Sequence, residues 1–209
     1  MGGLSGRSDR RQQVLDAALA IADEKGLDAV TMRAVAARVG VTAMALYPHV
    51  KSKDDLLDGL VGRLLAELSL LDPAKPWQDR LRELARSARE AGRRHPAVMP
   101  LLFTRPAVTP DAVRVVEAIY QALLDAGVPD AEIPRVERLV STFVLGYAVS
   151  GGRFVHRDPE QRRALLAGGD FPAHRRLAAK IQAVPSWDAE FEAALDDLTG
   201  LIETIASRS

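Results

Sequence analysis

The 209-residue sequence contains no cysteine, and aromatic residues make up only 5% of it. Without cysteine, the chain has no disulfide scaffold, no thiol nucleophile and no cysteine-based zinc or iron–sulfur site. The chain also has no excess of charge of either sign, because 28 basic residues balance 28 acidic ones. The whole chain therefore lacks the basic surplus that is typical of nucleic-acid-binding proteins.

Long hydrophobic runs are also absent. The longest uncharged stretch, Leu139 to Gly152, has 14 residues, whereas a helix needs roughly 20 to span a bilayer. Residues Met1 to Gln13 contain no apolar segment of the kind found in signal peptides. We therefore expect a cytoplasmic protein with no membrane partner.

Apolar residues recur at helical spacing along nearly the whole chain, and strand-like alternation is missing, which predicts an all-α fold. Two prolines between residues 72 and 76 predict a boundary between an N-terminal domain, 1–71, and a C-terminal domain, 72–209. Residues 1–9 are expected to form a disordered arm. Helices are predicted at 11–25, 32–39, from 43 onward, 53–71, 77–94, 98–103, 110–126, 130–151, 173–182 and 187–206.

A helix-turn-helix is predicted in the N-terminal domain. Thr31 is expected to cap the second helix, Gly40 to end it in the left-handed conformation, and Thr42 to cap the third. The short connection of Gly40, Val41 and Thr42 is typical of this motif.

Charge is distributed unevenly around this motif. Residues 29–53 contain Arg33, Arg38, Lys51 and Lys53 and no acidic residue, so this window carries +4 and the other 184 residues sum to −4. Such a window suits an approach to phosphates, although small helical units also carry solvated basic residues. The neutral total therefore does not exclude a DNA-binding surface.

An enzyme is the main alternative class, and the sequence contains none of the usual catalytic motifs. His49, His95, His156 and His174 are too far apart to form a local ligand pair, and each is expected to be solvated or to cap a helix. The carboxylate pairs Asp54-Asp55 and Asp196-Asp197 are expected to be solvated. We predict no catalytic residue, no metal site and no cofactor.

The run Thr31-Met-Arg-Ala-Val-Ala-Ala-Arg-Val-Gly40-Val-Thr-Ala-Met-Ala-Leu-Tyr47-Pro-His49-Val-Lys-Ser-Lys53-Asp-Asp-Leu-Leu57 resembles the DNA-binding signature of TetR-family transcriptional regulators. Four later segments resemble the core domain of the tetracycline-repressor branch: Trp77-Gln-Asp79, Leu81-Arg82, Thr104-Arg-Pro106 and Phe143-Val-Leu-Gly146. The resemblance covers roughly residues 10–151 and returns weakly in the last helix.

The resemblance implies a homodimer that binds a palindromic operator, usually as a repressor, and releases it when a small-molecule effector binds the C-terminal domain. The half-sites would lie roughly 34–36 Å apart, one turn of DNA. The resemblance places the dimer interface on the helix near 130–151 and on the C-terminal helix 187–206. A ligand-independent DNA-binding dimer is the alternative.

Carried over by residue, the resemblance gives a DNA surface in which Thr42, Tyr47 and Lys53 contact phosphates, while Arg33, Met44 and His49 reach bases. Ala43 and Ala45 complete it. Because Ala43, Met44 and Ala45 cannot hydrogen-bond through their side chains, we expect specificity to depend on Arg33 and on DNA shape. Pro48 is expected to end or kink the recognition helix, because proline disfavours helical geometry at the preceding residue.

The magnesium-binding residues of the tetracycline branch are replaced in this sequence. Leu101 stands where the branch has a histidine, and Ser150 where it has a glutamate, so a magnesium–tetracycline chelate is not expected to bind. The predicted effector pocket is mainly apolar, with Arg105 as a polar anchor or, alternatively, a helix cap. Its predicted lining residues, each of which could instead be plain core, are Ser69, Leu84, Ala88, Leu101, Arg105, Val116, Tyr120, Thr142, Phe143 and Tyr147.

Overall fold

The computed structural model describes residues 3–68, 72–105, 109–150, 164, 166, 168–182 and 186–208. This part of the chain is helical and contains no β-strand, which confirms the all-α prediction. The helices are α1 (Gly3–Lys25), α2 (Met32–Val39), α3 (Lys53–Ala66), α4 (Trp77–Arg94), α5 (Leu101–Thr104), α6 (Pro110–Asp125), α7 (Ile133–Ser150), α8 (Pro172–Gln182) and α9 (Trp187–Ala206). None of them is long and apolar enough to cross a membrane.

The N-terminal unit consists of α1, α2, α3 and short 3₁₀ helices at Leu27–Ala29 and Ala43–Leu46. Thr31 caps α2 as predicted, because its hydroxyl accepts a hydrogen bond from the Ala34 amide at 3.1 Å. Gly40 ends α2 in the left-handed conformation, with φ of 77°, which glycine adopts without steric cost. The second helix of the motif and its turn are thus as predicted.

The recognition helix differs from the prediction. In its place is the 3₁₀ helix Ala43–Leu46, followed by a turn, and the Thr42 side chain makes no capping hydrogen bond. The predicted end at Pro48 agrees with this short element, because proline offers no amide hydrogen for helix propagation. Leu46 and Val50 are buried and hold this segment on the core of the N-terminal unit.

Helix α3 begins as predicted, since the Ser52 hydroxyl accepts from the Asp55 amide at 3.1 Å. It ends at Ala66 rather than at residue 71. In its last turn the backbone hydrogen bonds join residues three apart. The Glu67 amide donates to the Leu64 carbonyl, and the Leu68 amide donates to the Leu65 carbonyl. Residues 69–71 lie outside the described residues.

Other helix boundaries also differ from the prediction. Helix α1 already begins at Gly3, so most of the expected disordered arm is helical in the structure. The predicted helix 98–103 is reduced to α5 because Pro96 and Pro100 place turns before it, and the predicted 130–151 helix begins at Ile133. The helix predicted at 173–182 is present as α8.

The C-terminal unit is built on α4, α6, α7 and α9, which share one hydrophobic core. Helices α4 and α7 meet closely at Gly92, where an added Cβ would lie 2.2 Å from the carbonyl oxygen of Ala148. The core of the N-terminal unit continues into this region, because Ala91, Val98 and Met99 belong to it. The two units are therefore packed against each other through buried apolar side chains.

Candidate DNA interface and effector cavity

The predicted DNA-binding residues lie on the surface of the N-terminal unit. Met44 is 76% exposed and Tyr47 is 47% exposed. Arg33, Thr42, Ala45 and Lys53 are also exposed, whereas Ala43 and His49 are half-buried. Helix α2 packs against the 3₁₀ helix, so Arg33 and the recognition segment belong to one folded unit.

The basic window is less positive in three dimensions than in sequence. Arg38 forms a two-pronged ion pair with Glu24 of α1, with N···O distances of 2.8 and 2.6 Å. The Arg38 guanidinium holds the pKa of Glu24 below its ordinary value. Arg33, Lys51 and Lys53 form no ion pair with any described residue, so these three cations remain available to phosphates.

His49 has one ring nitrogen turned inward. Its Nδ1 atom is buried and has no hydrogen-bond partner among the described residues. A DNA contact by this side chain would therefore use Nε2.

Two arginines pair with carboxylates near the start of α3. Asp54 is exposed as expected, whereas Asp55 is half-buried. Arg11 of α1 pairs with Asp55 at 2.8 Å. Arg105, from the segment after α5, pairs with Asp54 and Asp58 at 2.7 Å each. These pairs lower the pKa of Asp55 and raise that of Arg105, chiefly through the side-chain hydrogen bonds.

An apolar cavity of about 140 Å³ lies between the end of α3 and the C-terminal unit. Among the described residues that line it, Ser141 has the one polar side chain, and the Ser141 hydroxyl donates to a Glu137 carboxylate oxygen at 2.6 Å. The lining residues are Leu64, Leu65, Leu68, Leu84, Ala88, Ala91, Met99, Leu102, Ala112, Val115, Val116, Ile119, Ser141, Val144 and Leu145.

Three of the predicted pocket residues, Leu84, Ala88 and Val116, line this cavity. Arg105 does not, because its guanidinium is engaged by Asp54 and Asp58. Leu101 is buried in the core shared with the N-terminal unit, and Thr142 is exposed. Ser69 lies outside the described residues.

The predicted aromatic residues pack elsewhere. The Tyr147 ring centroid lies 5.0 Å from that of Phe143 and 5.2 Å from that of Phe191 on α9. Burial raises the pKa of the Tyr147 hydroxyl. Tyr120 packs against the same core. Periodicity marked these residues as apolar but did not distinguish helix packing from a cavity wall.

Sequence reasoning missed a polar junction at His95. This residue ends α4 as its C-cap, which is one of its two expected roles, but it is buried rather than solvated. Its Nδ1 lies 2.8 Å from an Asp23 oxygen of α1, and its Nε2 lies 3.2 Å from a Glu67 oxygen at the end of α3. Arg94 also pairs with Glu67, at 2.7 Å. No local spacing signals this site, because its members come from three separate segments.

The helix-turn-helix, its exposed cations and the attached helical unit define a DNA-binding transcriptional regulator. The model "Bacterial regulatory proteins, tetR family" matches residues 14–60, and "Tetracyclin repressor-like, C-terminal domain" matches residues 71–204. The chain belongs to the TetR family. Proteins of this family are regulators of transcription rather than enzymes.

Individual relatives agree with this assignment. An "HTH-type transcriptional regulator" of Saccharopolyspora erythraea is 30% identical over 87% of this chain and 79% of its own. The "HTH-type transcriptional repressor DrrR1" of Streptomyces coeruleorubidus is 30% identical over 76% of this chain and 58% of its own. Among solved structures, Streptomyces coelicolor ActR in complex with actinorhodin is 25% identical in sequence to this chain. The two structures superpose with a TM-score of 0.78 over 94% of this chain and 97% of ActR.

Proposed function

We propose that this protein is a cytoplasmic, homodimeric repressor that binds a palindromic operator and is released by a small, uncharged, apolar effector. The observation that carries the proposal is the placement of α3. Its first residue, Lys53, belongs to the predicted DNA surface, and Leu64 and Leu65 near its end line the cavity. One helix therefore joins the two sites.

Release of DNA requires that the effector favour one arrangement of α3 over another, because a ligand shifts an equilibrium only through differential affinity. Coupling free energies of this kind are typically about 1–3 kcal/mol, which corresponds to roughly 5- to 150-fold changes in operator affinity. The described part of the cavity wall carries no charged side chain, and an effector charge buried there would have no partner. This supports an uncharged effector.

The operator sequence is the first property to determine. Selection from a random duplex pool with the purified protein should recover a palindrome whose half-sites are about one helical turn apart. Recovery of no common sequence would contradict the proposal.

Replacement of Arg33 tests the basis of specificity. We expect Arg33→Ala to weaken binding to the selected duplex by about 1–3 kcal/mol and to affect a scrambled duplex much less, because Ala43, Met44 and Ala45 supply no side-chain hydrogen bond to bases. Equal losses on both duplexes, measured by fluorescence anisotropy, would show that Arg33 contacts only phosphates.

Calorimetric titration tests the effector class. We expect no tight magnesium-dependent binding of tetracycline, because Leu101 and Ser150 replace the branch's metal-binding residues and magnesium requires oxygen ligands. Neutral apolar compounds that fit the cavity should bind and lower the affinity for the selected duplex. If no compound alters DNA affinity although the duplex binds tightly, the ligand-independent dimer is favoured.

A further inference from the structure

The recognition segment, residues 43–50, is held mainly by backbone hydrogen bonds between residues three apart. The Ala45 amide donates to the Thr42 carbonyl at 3.0 Å, and the Tyr47 amide donates to the Met44 carbonyl only at 3.4 Å. The His49 and Val50 amides both donate to the Leu46 carbonyl, at 2.8 and 2.9 Å. Pro48 has no amide hydrogen. The segment therefore has a single i to i−4 bond at its end rather than the continuous ladder of an ordinary recognition helix, so contacts from other elements contribute to its orientation.

Two side chains outside the segment form hydrogen bonds with the backbone at its C-terminal end. The Arg11 guanidinium donates to the His49 carbonyl and, at 2.8 Å, to Asp55 Oδ1. The other carboxylate oxygen of Asp55 accepts from the Lys51 amide at 2.8 Å. Arg11 and Asp55 thus bind the residues on either side of Val50, and they tie that point to both α1 and α3.

We propose that Arg11 and Asp55 are positioning residues for DNA recognition, which set the angle at which Met44 and its neighbours meet the major groove. The inference rests on the proposed operator binding. The Arg11 and Asp55 side chains are 38% and 30% exposed, whereas the apolar anchors Leu46 and Val50 are at most 1% exposed, so we expect replacement of the charged pair to cost less stability than replacement of the anchors. The apolar anchors fix where the segment lies, and the charged pair fixes its direction.

The electrostatics support a contact that persists at neutral pH. The bond from Arg11, and secondarily the Lys51 amide, hold the pKa of Asp55 below its ordinary value. Since this folded-state pKa lies below the unfolded one, the contribution is present above the ordinary carboxyl range and is lost as pH falls through the lowered pKa.

Asp55→Asn in the full-length protein is the central test, and Asp58→Asn is its matched control. Asp58 lies on the same helix and pairs with Arg105, and it forms no ion pair or hydrogen bond with residues 43–50 in the described part of the chain. We expect D55N to lose protection of the Lys51 amide in hydrogen exchange and to bind a duplex selected by the wild type about tenfold more weakly, as for loss of one charged hydrogen bond. D58N should retain both properties.

Arg11→Lys is an independent variant, because a lysine ammonium lacks the planar fork that bonds to two acceptors together. It should weaken DNA binding as D55N does while retaining charge and a wild-type melting temperature. In wild-type NMR spectra, the Lys51 amide shift should follow the Asp55 carboxyl titration at a pH below the ordinary carboxyl range.

Three results would overturn the proposal: Lys51 protection that survives in D55N, wild-type DNA affinity when protection is lost, or unfolding of both variants, which would assign the pair to folding. If the wild type selects no duplex, the proposed function fails. Hydrogen exchange at Lys51 still tests the contact in that case.

Discussion

Single residues in this protein decide how closely two helices approach. Gly92 is the clearest case, because a Cβ there would meet the backbone carbonyl of Ala148, and a backbone cannot rotate away. At Gly59 an added Cβ would meet only the end of the Leu15 side chain, at 2.4 Å. The same substitution should therefore have different consequences at the two sites.

We expect Gly92→Ala to lower the free energy of unfolding by about 1–3 kcal/mol, as overpacking does. Gly59→Ala should cost less, because a Leu15 rotamer change relieves the contact. Urea denaturation followed by circular dichroism measures both values. Equal stability of the two variants would show that α4 and α7 separate easily.

Between elements, arginines of α4 form a row of ion pairs with α9. Arg86 pairs with Glu192, and Arg82 pairs with Asp196. Arg89 and Arg93 both pair with Asp188 in the first turn of α9. Arg89 is buried and lies 4.5 Å from the centre of the Phe191 ring. Removing Asp188 would therefore leave a buried guanidinium without its carboxylate.

These contacts predict a pH dependence. Hydrogen bonds from Arg89 and Arg93 lower the pKa of Asp188 below its ordinary value, so its stabilising effect is present above the ordinary carboxyl range and is lost as pH falls through the lowered pKa. Asp188→Asn should be less stable than wild type at pH 7, and the difference should shrink below about pH 4.

Denaturation at several pH values checks this expectation. Asp130→Asn is the control, because Asp130 is exposed and has no ion pair to a described residue. If D188N remained less stable than wild type by the same amount at acidic pH, its effect on stability would not come from the charge of Asp188.

At the scale of the whole molecule, the proposed dimer determines whether two recognition segments reach one operator. Leu201 on α9 is 42% exposed and Leu139 on α7 is 37% exposed, and both lie on the helices predicted to form the interface. An added Cβ at Gly146 or Gly200 of the same helices would meet nothing within 4 Å. These faces have room for a partner subunit.

We expect Leu201→Glu to give a monomer, because it places a charge in the proposed apolar interface. Leu124→Glu is the control, since Leu124 is similarly exposed at 47% but lies on α6. Analytical ultracentrifugation gives the association state, and fluorescence anisotropy gives affinity for the selected duplex. The monomer should hardly bind DNA, because the neutral chain offers little nonspecific attraction. A dimeric L201E protein would place the interface elsewhere.

Local signals in the sequence determined the helical class, most helix positions and the turn at Gly40. Apolar periodicity, the Thr31 cap and the proline positions act over a few residues, so they can be recognised without tertiary structure. The predicted DNA residues follow from one contiguous motif. Their contacts with DNA stay predictions, although the exposed positions suit them.

Only the tertiary structure decided which side chains line the cavity, where Arg105 pairs, and that His95 joins α1 and α3. An apolar helix face looks alike in sequence whether it meets another helix or a void. Ion pairs such as Arg11 with Asp55 join residues 44 positions apart, and no local pattern encodes them. The sequence determined which helices form, because their hydrogen bonds are local, while the packing of those helices decided which charges and apolar faces meet.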